Sequence, residues 1–583
     1  MVIASYNVDM YIDTIPNRSS PPAVLLRTSR RVGKRIVKDT LANISHWPKD
    51  KIEALRAVLR EEAVALHPEK EFAILRSLPH GHVQAVLGTI RKLGLDSVIA
   101  SKRSRQRDLV VGMIAARILF PTSKLDTIQR WKECTLAAEL GIGDADEDEL
   151  YAVLDWLQGR KDSIEKKLAQ RHLSEGSSVL YDLSSSYYYG HCCPLAVHGN
   201  DRDGKKGLPI IVYGVLANGQ GCPVAVEVYA GNTSDPKTVP QQAQKMRERF
   251  GLRRVVLVGD RGCLTQTTID ALRAYPGLGW IGALRSEAIR ALVDQKVIQP
   301  SLFDQHNLAE IHSCDYPDER LMACFNPLLA EERRRKRRAL LEATQKQLDR
   351  IAALVCRRKR KPLKEGEIGV RVGKVVNRFK VAKHFDLDIA DGHFSYTRQE
   401  DHIEREEQLD GLYVVRTSEP AERLSPEDTV RRYKSLSHME RTFRCLKGID
   451  LMVRPIFLRL EEHVRGHVLL CVLAYHVEWH MRQSLAPLLY ADEELPETRR
   501  TRDPVAPPEP SESAREKKSL HRTPDGLPVQ TFPTLLKKLG TLCRNTCRLA
   551  KDPGSPSFDL HTEPTPLQQR AFQLLGLYPV EGT

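Results

Sequence analysis

The chain has 583 residues, enough for three or four domains. It is rich in charged residues, poor in aromatics and carries a net charge of +14 with a pI near 9.1, so a polyanionic partner is expected, nucleic acid ahead of an acidic membrane surface. Its longest apolar run, Val468 to Val477, is too short for a membrane span and contains His476; polar residues soon after Met1 argue against a secretory signal; and twelve cysteines without a repeating framework exclude a disulfide scaffold.

Residues 1–107 are expected to form a small N-terminal module. Ala23–Arg27 and Lys34–Leu41 read as two strands joined by a turn from Arg30 to Gly33, and Trp47-Pro48 leads into a helix from Lys51 to Glu62. Its many Arg and Lys residues suit DNA contact, with a generic basic hairpin as the alternative. Ser101–Asp108 (SKRSRQRD) is a basic linker or the cap of the next helix. Residues 108–176 read as a helical scaffold: Leu109–Leu119, Asp148–Leu157 and Ser163–Leu173.

Residues 177–285 are strand-rich. Ser178–Leu183 (SVLYDL) is an apolar run with Asp182 embedded in it. Leu208–Leu216 and Cys222–Tyr229 are two more runs, joined by the turn Asn218-Gly219. Arg254–Gly259 is a fourth, followed at once by Asp260, and Trp280–Leu284 is a fifth. Helices over Val239–Arg249 and Gln266–Ala274 connect the later strands, which makes a mixed α/β sheet. A strand-end Asp is often a turn cap. Two of them on neighbouring strands would instead converge.

Between Asp260 and Glu440 lie roughly 180 positions, too many for one connection, so residues 286–409 are expected as an insertion domain. Leu328–Arg358 is a long helical pattern carrying EERRRKRR (Glu331–Arg338) and is followed by RRKRK (Arg357–Lys361). Strand-like runs follow at Gly369–Val376, Phe379–Ile389 and His393–Arg398. The density of the basic runs suits DNA phosphates, against the blander reading of a solvated helix face. All five Trp lie outside the insertion, so an aromatic platform there would be Phe394 or Tyr396.

The core is expected to resume over 410–482. Ser425–Gly448 (SPEDTVRRYKSLSHMERTFRCLKG) reads as one helix: Ser425 caps it, Pro426 suits the first helical position, Asp428 stands where a capping-box acid belongs, and Gly448 ends it. Leu436, Met439, Phe443 and Leu446 form one apolar stripe. At about 100° per residue, Tyr433, Glu440, Arg444 and Lys447 line up along its flank. A carboxylate at a core edge needs a partner; the alternative is a solvated face with Glu440–Arg444 as an ordinary i, i+4 pair. A helix over Glu461–Met481 continues the core, with His463, Arg465 and His467 either near DNA or at a core margin. Residues 483–528 are Pro-, Glu- and Arg-rich and are expected as a flexible linker. Residues 529–583 hold a short amphipathic helix, Thr534–Leu539, and a Pro-rich end with no assigned task.

Two convergent aspartates and a glutamate form a hard-oxygen site suited to magnesium. Two such ions can clamp the attacking and leaving oxygens of a phosphoryl transfer, and the basic charge makes a DNA phosphodiester the expected substrate. Asp182, Asp260 and Glu440, in that order on a meander plus helices, resemble the Asp-Asp-Glu transposases of bacterial insertion sequences, whose catalytic core has the ribonuclease-H-like fold. LYDLSSSYYYG (Leu180–Gly190), DRDGKKG (Asp201–Gly207), GNTSDPKT (Gly231–Thr238) and GDRGCLT (Gly259–Thr265) carry the resemblance. Tyr433, Glu440 and Lys447 match the Tyr-(2)-Arg-(3)-Glu-(6)-Lys signature of one branch. Its Arg position holds Leu436, and Arg444 or Arg441 is the candidate for that charge.

The resemblance implies an α/β fold: a ribonuclease-H-like mixed sheet with a β-rich and helical insertion, a small N-terminal module and helical flanks. It implies Asp182, Asp260 and Glu440 as catalytic and metal-holding residues, with two Mg2+ per site and Mn2+ as substitute. Tyr433, Lys447, Arg444, Arg285, Arg333, Arg334, Arg335 and Lys336 would contact DNA. The chemistry implied is cutting at terminal inverted repeats and joining of the freed 3′-OH ends to target DNA. In this branch the insertion clamps the element end and, in some members, receives a flipped base. The expected partner is double-stranded DNA and not a membrane, the expected active complex a homodimer, and the expected location the cytoplasm, in association with the nucleoid. A ribonuclease-H-like nuclease without strand transfer, or a DNA-binding derivative that has lost catalysis, stays open beside it.

Overall fold

Long apolar runs such as Ile210–Leu216 have nothing polar to turn toward water on either face, which suits the middle of a covered sheet. In a computed structural model of the chain, which describes residues 9–18, 20–32, 35–60, 72–205, 207–549 and 554–578, that is where they lie. Gly33, Lys34, Glu61, Glu62 and Lys206, parts of the expected N-terminal turn, strand and helix and of the DRDGKKG stretch, are outside the described residues.

Eight strands make one mixed sheet: β1 (Ser178–Tyr187), β2 (Ile210–Asn218), β3 (Pro223–Ala230), β4 (Val255–Gly259), β5 (Leu278–Ala283), β6 (Leu308–Ile311), β7 (Arg320–Phe325) and β8 (Leu412–Thr417). Their order across the sheet is β6-β7-β8-β5-β4-β1-β2-β3. β1, β2 and β3 form an antiparallel meander, and β4 and β5 run parallel to β1. β8 joins β5 antiparallel, and β7 and β6 continue antiparallel to the edge. The β2–β3 turn closes as its sequence demands. Asn218 Oδ1 accepts from the amides of Gln220 and Cys222 (3.0 and 2.9 Å), and Gly221 takes φ 85°.

The sheet is packed by helices, chief among them Glu461–Ser484, whose middle is buried on all sides. Arg105–Leu119 and Glu147–Gln158 pack with it, as the helical reading of 108–176 expects. The apolar run Val468–Val477 is the centre of this buried helix, and among the described residues no helix is long and apolar enough to cross a membrane.

The stretch from 286 to 409 divides in two. β6 and β7 enter the main sheet, while helices Pro327–Arg357, Glu365–Phe379 and Glu400–Glu407 and the hairpin Phe385–Ala390/His393–Arg398 share a core of their own around Leu348, Ile368, Val372, Phe385 and Phe394. The strand expected over Gly369–Val376 is a helix. Its β-branched residues suggested a strand, but Ile368, Val372 and Val376, four apart, are the ones that bury. Likewise the strand expected from Phe379 begins at Phe385, after the helix ends at Lys380 with φ 54°.

Ser425–Gly448 is two helices rather than one, Pro426–Lys434 and Ser437–Lys447. Ser435 Oγ donates to the Arg432 carbonyl at 2.6 Å, and the amides of Leu436, His438 and Met439 reach back three residues instead of four. Ser425 does cap the first helix, accepting from the Asp428 amide at 3.1 Å. The 483–528 stretch, expected as a linker, carries helices Leu495–Thr501 and Glu512–Leu520. Lys434 Nζ and Arg431 Nη2 donate to the Val505 and Arg502 carbonyls there, at 2.9 and 3.2 Å. The Pro-rich end holds a helix that the sequence reading missed, Pro566–Leu575, started by a Thr565–Gln568 capping box.

A separate compact unit comprises Met1–Ser77 with Asn545–Leu560; Leu78–Arg544 and His561–Thr583 form the other. The smaller unit holds the antiparallel strands Asp9–Ile15, Ala23–Val32 and Arg35–Asn43 and the helix Lys49–Leu59. Residues Arg30–Val32, expected in a turn, continue the second strand.

In the basic run Glu331–Arg338, Arg337 is set apart. It is buried and ion-paired to Asp410, also buried, with Glu407 at 3.7 Å. Removing one partner of a buried pair strands the other charge. Arg337→Ala is therefore expected to lower stability by about 3 kcal/mol, and exposed Arg334→Ala to stay within about 0.5 kcal/mol, both followed by thermal melting of the full chain. Equal melting of the two variants would contradict the pair.

Candidate active site

The register of β1 on β4 builds the site. Leu180 pairs with Val258 and Tyr181 with Gly259, so the next step sets Asp182 beside Asp260. Tyr181 and Asp182 point to opposite faces, as successive strand residues must. Tyr181 is buried and its hydroxyl donates to Thr238 Oγ1 at 2.8 Å, which ties down the first turn of the helix Asp235–Gln244. Asp260 sits past the end of β4, and its Oδ1 accepts from the amides of Gly262 and Cys263 at 2.9 and 2.8 Å. The carboxylate thus holds its own turn, and the turn aims the carboxylate.

Ligand atoms of Asp182, Asp260 and Cys263 all lie within 4.8 Å of one another. Burial and then the neighbouring Asp260 push the Asp182 carboxyl up to about 7, although the Leu183 amide donates to its Oδ1 at 2.7 Å. Burial, Asp260 and Asp182 raise the Cys263 thiol, so it stays neutral. A third acid adjoins the pair: a Cβ built on Gly262 would lie 3.3 Å from both Asp260 oxygens and 3.6 Å from Asp235 Oδ2. Asp235 is ion-paired to Arg202. Asp235 was not among the expected site residues; its sequence signal is an acid within GNTSDPKT placed to open a helix before Pro236.

Glu440 is exposed and does not join this group. The tight turn at Ser435–Leu436 departs from the regular 100° per residue on which the expected alignment of Tyr433 with Glu440 rests. Tyr433 is close to the acids: burial first and Asp260 next push its phenol up to about 12. Lys447 Nζ is 2.7 Å from Asp203 Oδ1, which also meets Arg454 Nη1 at 2.6 Å, and burial draws the Lys447 ammonium below its ordinary value. Arg444 is exposed, and its carbonyl closes the helix by accepting from Gly448 at 2.8 Å. Arg285 is exposed and precedes the helix Ser286–Asp294. Arg333, Arg334, Arg335 and Lys336 are exposed on the long helix of the 327–407 region.

In metal-free protein the raised Asp182 carboxyl has a stability consequence. An unfolded Asp titrates near 3.8 and the folded one near 7, so the folded state binds the extra proton between those values. Stability from this group is therefore present at low pH and falls as pH rises through that window. Metal-free Asp182→Asn is expected to melt above wild type at about pH 8 and level with it at about pH 4. A wild type as stable as the variant at the higher pH would contradict the strain between the two acids.

Residues 195–477, just under half of the chain, match the family described as Transposase DDE domain; Asp260 and Glu440 fall inside the match and Asp182 lies shortly before it. No curated protein matches the chain. Among solved structures, a piggyBac transposase synaptic complex with hairpin DNA, determined by cryo-electron microscopy, is similar at 9% identity with a TM-score of 0.31, over 79% of this chain and 78% of that one. A likeness of that size carries no argument about this chain. The family match supports a transposase, and a transposase DDE domain is what residues 195–477 resemble by sequence.

Proposed function

We propose that the protein is a DNA transposase of the Asp-Asp-Glu class, in the insertion-sequence branch with the Tyr-Arg-Glu-Lys signature. The observation that carries this reading is the convergence of Asp182 and Asp260 on adjacent parallel strands, in a chain whose residues 195–477 match a transposase domain. The order β3-β2-β1-β4-β5, an antiparallel meander followed by two parallel strands, supports a ribonuclease-H-like core. In this reading 177–285 and 410–482 are two parts of that core; of the expected insertion 286–409, β6 and β7 join the sheet and the part with a core of its own, 327–407, is the insertion. Residues 1–107 contact DNA, and the active complex is a homodimer, since two element ends must be cut.

The donor set fits hard divalent cations. Two carboxylates crowd each other, a divalent ion relieves that repulsion, and the neutral Cys263 thiol offers magnesium nothing. Mg2+, or Mn2+ in its place, would be held by Asp182, Asp260 and Glu440; bound there, two ions would activate a water and neutralise charge on the phosphate. The chain's own groups supply the rest. Tyr433 stays protonated at neutral pH and can donate to a phosphate oxygen beside Asp260. Lys447 and Arg454 are cations held in place by Asp203, positioned to grip the backbone next to the cut. Glu440, exposed and outside the 4.8 Å group, is the proposed third ligand on the strength of the signature it shares with this branch. Arg285, Arg444 and Arg333–Lys336 extend the basic surface along the duplex.

DNA flanking the gene, tested as the element end in a supercoiled plasmid, checks this. Asp182→Asn and Asp260→Asn are expected to keep end binding and lower nicking at least about a hundredfold. Asp182→Cys should be inactive in magnesium and regain some cleavage in manganese. Near wild-type nicking by Asp182→Asn would sink the triad, and cut products without joined ones would favour a nuclease without strand transfer.

A second measurement concerns the long helix. Replacing Arg333, Arg334, Arg335 and Lys336 by Gln should weaken end binding and flatten its salt dependence by nearly four counterions, about 0.9 per phosphate contact. An unchanged salt slope would take this helix out of the DNA interface.

A further inference from the structure

Away from the acidic pair, four side chains distant in sequence meet in one place. His172 is the last residue of the helix Lys161–His172, Cys222 lies between the β2–β3 turn and β3, and His476 and His480 stand one turn apart on the helix Glu461–Ser484. One nitrogen from each imidazole and the Cys222 sulfur all lie within 4.8 Å of one another. The three ring centroids form a near-regular triangle, 5.0 Å for His172–His476, 5.4 Å for His172–His480 and 4.9 Å for His476–His480. Cys222 Sγ is 3.6 Å from His476 Nδ1 and 3.8 Å from His480 Nε2.

We propose that His172, Cys222, His476 and His480 bind one zinc-class divalent ion in a structural site separate from the acidic pair. Zinc takes sulfur at ~2.3 Å and imidazole nitrogen at ~2.0–2.1 Å in a tetrahedron, which sets an S···N edge of roughly 3.6 Å and ring centroids roughly 5 Å apart. The ring spacings are close to the second value and the 3.8 Å from Cys222 Sγ to His480 Nε2 is close to the first; the 3.6 Å contact is to His476 Nδ1, the nitrogen that faces the Pro223 carbonyl.

The surroundings are those of a ligand set. Cys222 and His476 are buried, and the other two are half-buried. His476 Nδ1 is 3.1 Å from the Pro223 carbonyl; donation there leaves Nε2 for the ion, the way a backbone carbonyl orients a metal-bound imidazole. Trp479 packs edge-on to His480 at 4.9 Å. Four protein donors leave no open position, which marks the site as structural. It would clasp the end of one helix and the β2–β3 turn to the central helix. A Cβ on Gly221, in that same turn, would lie 2.7 Å from His438 Cβ, so the clasp also backs the helix that carries Glu440.

The full-length protein, purified without chelator, is expected to hold about one zinc per chain by plasma mass spectrometry. Asp182→Asn should keep that zinc, since the two sites share no ligand, and both Cys222→Ser and His480→Gln should lose it. Chelator-stripped wild type should melt at a higher temperature once zinc is returned, and His480→Gln should not respond. Cobalt-loaded wild type should show thiolate-to-cobalt charge transfer with the intense bands of tetrahedral cobalt, a readout that stands even if a variant fails to fold. A wild type that takes up neither ion on reconstitution, or zinc that survives in both ligand variants, would overturn the site.

Discussion

Parallel pairing of β1 with β4 is the constraint on which the rest depends, because it decides which side chains become neighbours. Buried apolar residues on both strands, each contributing about 1.5–3 kcal/mol, hold the register that sets Asp182 beside Asp260. The acids do not pull themselves together; their mutual repulsion works against the pairing. A slip of one residue would turn Asp182 into the opposite face of the sheet and bring Tyr181 to the acids. The hydrophobic pattern that makes the sheet is therefore also what assembles the acidic pair, and like-charge strain is stored there at the expense of the surrounding core.

Much of this was legible in the sequence, in proportion to how local each signal is. The five strands of 177–285 and the long helix of 327–357 follow from runs and periods, and Asp182 stands out because it interrupts an apolar run. Where local composition and helical period disagree, as at Gly369–Val376, period decided the structure, because Ile368, Val372 and Val376 had a common core to reach. Glu440 shows another limit. Its azimuth relative to Tyr433 was counted along a continuous helix, whereas the chain breaks at Ser435, whose hydroxyl donates to the Arg432 carbonyl. Arg337 could not be told from its basic neighbours, since its partner Asp410 is a long way off in sequence. The His–Cys cluster was invisible for the same reason, apart from the i, i+4 pair His476 and His480 on one helix.

Several cations of the core are already paired within the chain. Lys447 and Arg454 share Asp203, and Arg202 is taken by Asp235. Such pairs hold long side chains in fixed directions before any phosphate arrives, which reduces the entropy lost on binding. They also make DNA compete with an internal carboxylate for each contact. The exposed run Arg333–Lys336 has no such competitor within the run, so the two groups would differ in character: internal pairs give direction, and the helix gives long-range attraction that salt screens.

The central helix Glu461–Ser484 is buried against strands that precede it by a long stretch of chain. During synthesis, β1 to β5 leave the ribosome well before this helix exists. At about 5–20 residues per second, the roughly 180 residues between β5 and the helix take on the order of ten seconds or more. For that interval one apolar face of the sheet waits without its cover, while the helices of the insertion, with a core of their own, can already close. The order of the genetic message thus makes the early sheet the part of this protein most in need of a chaperone.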